Sequence, residues 1–350
     1  MTFQSVVGHR RITHLLAGAI SRNTLPPTLL FAGPAGVGKW QVAVASAQAL
    51  NCLAPVHPSP ADRLADGTAG PDEGLAVDAC GTCRSCERIA RGLHVDVLAV
   101  TPDEKASIKI DTIRDVLSRT SYRPFEGRRR VVLVREAETL EIASQNALLK
   151  SLEEPPPATV FILTTSVPGA LLPTVRSRSM MLRFGPLPPA EVAHVLVRDH
   201  GHSEAEARAL AMLADGSVGQ ALALGATDVA VLRETALLLL QQSAGRGDAQ
   251  ARLQVAASVV GPPRKERTRE ELAVIVRLTA SMLRDIEAIN SGVQARVLAN
   301  PIVADDLRAI ARHFTGNRAR DAFGAADRAL FALERNAGAK VVAEWLALQI

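Results

Sequence analysis

The chain has 350 residues, enough for two or three domains with cores of ordinary size. With 47% hydrophobic and 22% charged residues it reads as a globular protein, and a net charge of only +4 excludes the dense basic stripe of an autonomous nucleic-acid binder. Aromatics at 3% are too few for a stacking platform along a single strand, although a few phosphate-facing cations could still act inside a larger complex.

The start of the chain, MTFQSVVGHR, lacks the charged region and apolar run of a signal peptide, and no apolar stretch approaches the roughly 18 residues of a membrane span. The expectation is a cytoplasmic protein with no membrane partner. From Thr28 to Gly185, β-rich runs alternate with helical patterns, as a doubly wound α/β domain requires. The strands TLLFAG, DVLAV, RVVLV, TVFILTTS and MMLRF are apolar without clean alternation, which predicts a parallel sheet buried on both faces. Gln41–Ala49, Ile110–Ser118 and Ala143–Leu152 read as helices between them.

The first strand runs into FAGPAGVGKW, a phosphate-binding loop with Gly33, Gly36, Gly38 and Lys39 in place. Loops of the form G-x-x-x-x-G-K-[ST] wrap backbone N–H groups around phosphates, send the Lys to the outer ones and hold Mg²⁺ with the last hydroxyl. Here Trp40 stands at that last position, and its indole N–H cannot ligate a metal.

Residues Ala54–Ala79 carry Pro, Gly and Asp without periodicity and read as a loop insertion. Cys52, Cys80, Cys83 and Cys86 flank it in the pattern C-x27-C-x2-C-x2-C. Two overlapping C-x-x-C turns let three thiolates converge on one ion, and Cys52 can close a four-sulfur site if the insertion loops out. A full set with no open position points to structural zinc; the alternative is four ordinary cysteines. His57 and His94 read as loop or surface residues.

At Gly185 the composition turns Ala- and Leu-rich. Pro186, Pro188 and Pro189 make a hinge, a small helical unit follows to about Leu224, and the remainder is helical. Leu272, Ile275, Thr279, Leu283 and Ile286, then Phe323, Ala326, Leu330 and Leu333, recur at three- to four-residue spacing. The expected organisation is an α/β domain over 1–185 with a cysteine module at 52–86, a small helical lid over 186–226, and an all-helical domain over 227–350.

The run ASQNALLKSLEEPPPATVFILTTSVPGALLPTVRSRS, Ala143–Ser179, resembles the bacterial clamp-loader subunits of the AAA+ class. Asn146–Pro156 matches that family's N-A-L-L-K-x-L-E-E-P-P helix, Thr164 and Thr165 its polar sensor, and Thr174–Ser179 its T-x-x-S-R-C motif, with Ser179 in place of Cys. The likeness extends to IKIDTIRDV at Ile108–Val116, EGRRRVVLV at Glu126–Val134, the cysteine module, the lid and a helical collar. It implies an AAA+ phosphate-loop domain carrying an inserted zinc module, followed by a lid and a collar through which subunits join a ring.

The departures from that family's active ATPases are equally informative. Those subunits end the third strand with D-E-A, whose Asp helps hold Mg²⁺; this chain has Arg135, Glu136 and Ala137. Their lid segment G-S-x-R-x-A-L supplies an Arg to the phosphates; here GSVGQAL puts Gly219 at that position. With the hydroxyl absent at Trp40, three phosphate-site groups are missing together, and phosphoryl transfer depends on Mg²⁺ for both positioning and charge neutralisation. The resemblance therefore implies weak or absent ATP or ADP binding and no hydrolysis by the chain alone.

Arg178 is retained. In the family, the Arg of the S-R-C motif crosses the subunit interface to a neighbour's ATP, and motif position selects Arg178 over Arg176 and Arg183. The implied role is a non-hydrolysing stator that supplies a trans arginine finger. Its implied partners are motor subunits of the tau/gamma type and the delta subunit, and through the complex the sliding clamp and primed DNA. The alternative is an active motor subunit, which would need Ser or Thr at 40, Asp at 135 and Arg at 219, and which usually carries a longer C-terminal extension than a chain ending in helix at Ile350. A zinc-dependent enzyme is disfavoured, because four Cys ligands leave no open position for water.

Overall fold

A computed structural model describes all residues except 58–74, 105, 226–228, 245–248, 262–266, 293–297 and 336. The loop expected over Ala54–Ala79 falls largely outside the described residues. The chain divides into two units, Met1–Val195 with Gly216–Gly219, and Leu196–Asp215 with Gln220–Ile350.

In the first unit, α1 (Arg10–Ser21) precedes β1 (Thr28–Ala32) and α2 (Lys39–Asn51). Then come α3 (Arg84–Ala90), β2 (Val97–Val100), α4 (Ile110–Thr120), β3 (Arg130–Val134), α5 (Ile142–Glu153), β4 (Thr159–Thr165), α6 (Pro173–Ser177) and β5 (Met180–Arg183). The strands form one parallel sheet in the order β2-β3-β4-β1-β5. The expected parallel sheet is therefore present, and its residues explain the lack of alternation. Leu29, Phe31, Val131, Leu133, Val160 and Ile162 pack on one face with Leu16 and Val42 from α1 and α2. Leu30, Val132, Val134, Phe161 and Leu163 pack on the other with Ile113, Leu148 and Val175 from α4, α5 and α6. Both faces of the central strands β1, β3 and β4 are covered, so their middle positions are apolar without alternation, while Thr28, Arg130, Thr159, Thr164 and Thr165 sit at their ends. Phe31 and Phe161 are fully buried, each contributing about 1.5–3 kcal/mol by its removal from water.

Because all strands run the same way, the loops after β1, β3 and β4 emerge at one edge of the sheet. The loop after β1 lies where neighbouring connections leave in opposite senses, the usual ligand position in an open parallel sheet.

The second unit is helical. α7 (Pro189–His200) spans the division between the units. It is followed by α8 (Glu204–Leu213), α9 (Val218–Gly225), α10 (Val229–Ala244), α11 (Ala249–Val260), α12 (Arg269–Asn290), α13 (Ala304–Ala311), α14 (Arg318–Glu334) and α15 (Ala339–Gln349). α12 starts with a capping box in which Thr268 and Glu271 satisfy each other's backbone N–H groups. Its stripe of Leu272, Ile275, Thr279, Leu283 and Ile286 is buried as the spacing predicts. On α14 the buried face is instead Ala322, Ala325, Ala326, Ala329 and Leu333, while Phe323 is only half-buried with Arg284 over its ring. Small residues there let α14 approach α12 closely. No helix among the described residues is long and apolar enough to cross a membrane.

Candidate functional site

The phosphate loop turns from β1 into α2 with Gly38 as N-cap, the strand-loop-helix context the motif requires. Lys39 is buried, and its ammonium donates to Gly33 O and Pro34 O, both at 2.6 Å. Burial lowers its pKa, while Glu138 and Glu136 act the other way. Ser217 Oγ donates to Ala35 O at 2.8 Å and the Gly219 N–H to Gly36 O at 3.1 Å. His9 donates from Nε2 to Val37 O at 2.8 Å. His9 itself has a lowered pKa, chiefly through burial. Five consecutive loop carbonyls, Gly33 through Val37, thus each have a donor from the loop's own lysine or from a brace outside the loop.

Two glycines make this possible. Gly36 has φ +72, and a Cβ there would lie 2.4 Å from Ser217 Oγ and 2.9 Å from Gly219 Cα. A Cβ on Gly219 would lie 2.9 Å from Gly36 Cα. The backbones touch where the resemblance would have an arginine, so no longer side chain fits without moving the loop.

Trp40 and Arg135 meet. The Arg135 guanidinium carbon stands 5.8 Å from the Trp40 ring centroid, within cation–π range, and its Nε lies 3.3 Å from Glu136 Oε1. The hydroxyl and carboxylate positions from which the resembling motors hold Mg²⁺ are occupied by one aromatic–cation pair that offers a metal no oxygen ligand. Glu138 is engaged by Ser166. One of its oxygens accepts from Ser166 N at 2.9 Å and from Ser166 Oγ; the other is buried without a hydrogen-bond partner. Thr164 is buried at the end of β4, 3.4 Å from Glu136 N, and Thr165 O accepts from Gly33 N at 3.2 Å.

The four cysteines converge as their spacing predicts, with all sulfurs within 4.8 Å of one another. Cys52 Sγ lies 3.5 Å from Cys80 Sγ and 3.9 Å from Cys83 Sγ. Metal–sulfur bonds of about 2.3 Å in a tetrahedron put sulfurs about 3.8 Å apart, so the set fits one ion. The Cys80 N–H points at Cys52 Sγ (3.2 Å) and the Cys83 N–H at Cys80 Sγ (3.3 Å), as donors to thiolates do. Burial opposes ionisation of Cys80, but N–H donors at Thr82 and Cys83 and the neighbouring sulfurs bring it down to about 6. Burial raises Cys52 and Cys86. Four such sulfurs can all be thiolates only around a cation. The module is tied to α2 by Gln48 Nε2 donating to Cys86 O and Ser85 Oγ to Asn51 O.

His57 is exposed, as expected, with Nδ1 2.8 Å from Ala76 O. His94 is not a surface residue. It is 4% exposed, its pKa is lowered by burial, and its Nδ1 accepts from Asp96 N at 3.2 Å. Buried Asp96 in turn accepts the N–H groups of Phe125, Glu126 and Gly127 and pairs with Arg130 at 2.8 Å, which fixes the turn before β3.

Arg178 is the C-cap of α6, on the surface, paired with Glu153 and donating from Nη1 to Thr174 O at 3.1 Å. Arg176 is half-buried and Arg183 exposed on β5. His9, Ser217, Glu138 and Glu153 escaped the reading of the sequence. Ser217 and Glu153 lie in motifs, GSVGQAL and Asn146–Pro156; His9 and Glu138 act through bonds between distant residues, for which a single sequence has no pattern.

The model of the family described as DNA polymerase III, delta subunit, matches residues 8–188, more than half of the chain. The chain belongs to this family of clamp-loader subunits. It is 32% identical over 262 residues to DNA polymerase III subunit tau of Escherichia coli, covering 74% of this chain and 36% of that protein. It is 36% identical over 162 residues to subunit delta' of Pseudomonas aeruginosa, covering 46% and 43%, and 37% over 170 residues to subunit delta' of Escherichia coli, covering 48% and 51%. The chain spans about a third of the length of the tau subunits it matches.

Proposed function

We propose that this clamp-loader subunit is the delta-prime type, a stator that does not hydrolyse ATP itself. It presents Arg178 to the ATP of a neighbouring tau/gamma-type motor and joins motor and delta subunits through a collar at 227–350, beyond a lid at 186–226. The complex loads a sliding clamp onto primed DNA in the cytoplasm. Cys52, Cys80, Cys83 and Cys86 hold a structural Zn²⁺, which organises their module and takes no part in chemistry.

The observation that carries the reading is the Trp40–Arg135 contact. Losing one Mg²⁺ ligand could be repaired by water; replacing both by a ring and a guanidinium in cation–π contact removes both oxygen ligands and adds a positive charge that repels the metal. The rival reading, a tau/gamma-type motor, is favoured by the longer stretch over which the tau relative aligns. Steady-state ATPase of the purified chain separates them. The stator is expected to give no Mg²⁺-dependent turnover above background, and Trp40→Thr alone to create none, since Arg135 still opposes the metal. Turnover of about 1 s⁻¹ or more by the chain alone would establish the motor.

A further inference from the structure

A guanidinium carries five N–H groups in a rigid plane, with a side-on edge made by Nε and Nη2 and an end-on fork made by Nη1 and Nη2. On Arg178 the side-on edge is taken. Nε donates to Glu153 Oε1 at 2.6 Å, and Nη2 reaches the same oxygen. Nη1 donates one proton to Thr174 O at 3.1 Å and approaches Ser177 Oγ at 3.5 Å, the long limit of a hydrogen bond. What remains is one N–H on each Nη, the pair that grips an anion end-on.

Both braces adjoin residues buried in the sheet's core. Glu153 closes α5 next to buried Leu152, just before the run Pro155-Pro156-Pro157. Thr174 is in α6 beside buried Val175. The Arg178–Glu153 pair itself is part-exposed, with side chains 34% and 47% accessible, so its contribution to folding is small. A charged pair that contributes little to stability yet fixes an arginine's orientation suits a task other than stability.

We infer that Glu153 is a positioning residue for Arg178. Its carboxylate holds the side-on edge so that the end-on fork stays free for a phosphate oxygen of the adjacent subunit's nucleotide. This rests on the reading of Arg178 as a trans finger. An amide at 153 could still accept one proton but without charge, and charge-assisted bonds are roughly twice as strong.

The test is a double-mutant cycle in the complex reconstituted with a tau-type motor, measuring ATP hydrolysis for wild type, Arg178→Ala, Glu153→Gln and the double variant. Arg178→Ala is expected to lower kcat most. Glu153→Gln is expected to lower kcat about 1.5- to fivefold with KM unchanged, the scale of an exposed ion pair, and to have no further effect on the Arg178→Ala background. In the full chain on its own, the Arg178 Nε–H nitrogen-15 resonance is expected to be protected from water exchange and to lose that protection in Glu153→Gln. If Arg178→Ala hydrolyses at the wild-type rate, the finger reading falls. If only Arg178→Ala slows hydrolysis, or if Glu153→Gln slows the Arg178→Ala complex further, or if Nε–H protection is unchanged in Glu153→Gln, Glu153 does not act through Arg178.

Discussion

The phosphate loop and the cysteine cluster sit at opposite ends of one helix, and they have opposite needs. At the start of α2, Lys39 bonds its own loop, Ser217, Gly219 and His9 satisfy the remaining carbonyls, and Arg135 makes a cation–π contact with Trp40. At its end, Cys52 begins a set of four sulfurs within 4.8 Å of one another. An anion drawing on the Lys39 ammonium would have to replace its two hydrogen bonds to Gly33 O and Pro34 O, so that group gains little by taking a ligand. Four converging thiols gain greatly from a cation, because without one they cannot all ionise. The same helix therefore carries a loop whose lysine and carbonyls already have partners and a sulfur cluster whose geometry could hold an ion.

Removing the metal should give the largest effect and break the comparison if it is wrong. We expect one zinc per chain by elemental analysis, and loss of amide protection over Ala79–Ala90 after strong chelation or in Cys83→Ser, with the β1, β3 and β4 amides still protected. Structural zinc contributes about 10–16 kcal/mol of apparent binding energy in small zinc-finger peptides, but here α3 rests on a sheet with its own core, so the loss should stay local. Metal-free protein with four titratable thiols and a protected α3 would show that the cluster does not need an ion.

Gly219→Arg probes the other end. It restores the side chain that the active members of the family carry, yet its Cβ would meet Gly36 Cα at 2.9 Å, backbone against backbone. We expect destabilisation of about 1–3 kcal/mol, the range for overpacking, read from urea unfolding, and no gain in nucleotide affinity by titration. A variant that is as stable as wild type and binds nucleotide would mean that the loop yields easily and is not closed on itself.

The two ends also differ in how legible they are. The cysteine spacing alone forecasts convergence, because a C-x2-C turn has few geometries and the ligands are a single residue type. The sheet was equally plain, since the middle positions of strands covered on both faces are apolar without alternation. At the phosphate loop, the sequence shows the foreign residues Trp40, Arg135 and Gly219 but not that the first two touch or that the third packs on Gly36. His9 was beyond reach for a further reason: it lies just before α1, which starts from a left-handed residue with no capping side chain and no first-turn acid. No start signal marks that helix. The burial of His94 likewise depends on Asp96 and Glu126 closing around it, a tertiary arrangement with no local trace.

Ser217→Ala should have the smallest effect and sharpens the comparison most. Ser217 is 2% exposed, and its hydroxyl is the donor to Ala35 O. Removing one partner of a buried hydrogen bond costs about 1 kcal/mol, and more if no water reaches the carbonyl left behind. We expect the urea midpoint to fall by that free energy divided by the m-value, with the m-value itself unchanged, since the exposed area on unfolding is the same. Amide exchange at Gly36 and Val37 should rise, because the loop loses one of the five hydrogen bonds to its carbonyls and opens locally. Exchange over Ala79–Ala90 should not change, because Gln48 and Ser85 tie that module to the far end of α2 independently of the loop. Equal loosening at both ends would mean that α2 transmits strain between them and that they are one cooperative unit; no loosening at Gly36 would mean that Lys39, His9 and Gly219 close the loop without Ser217.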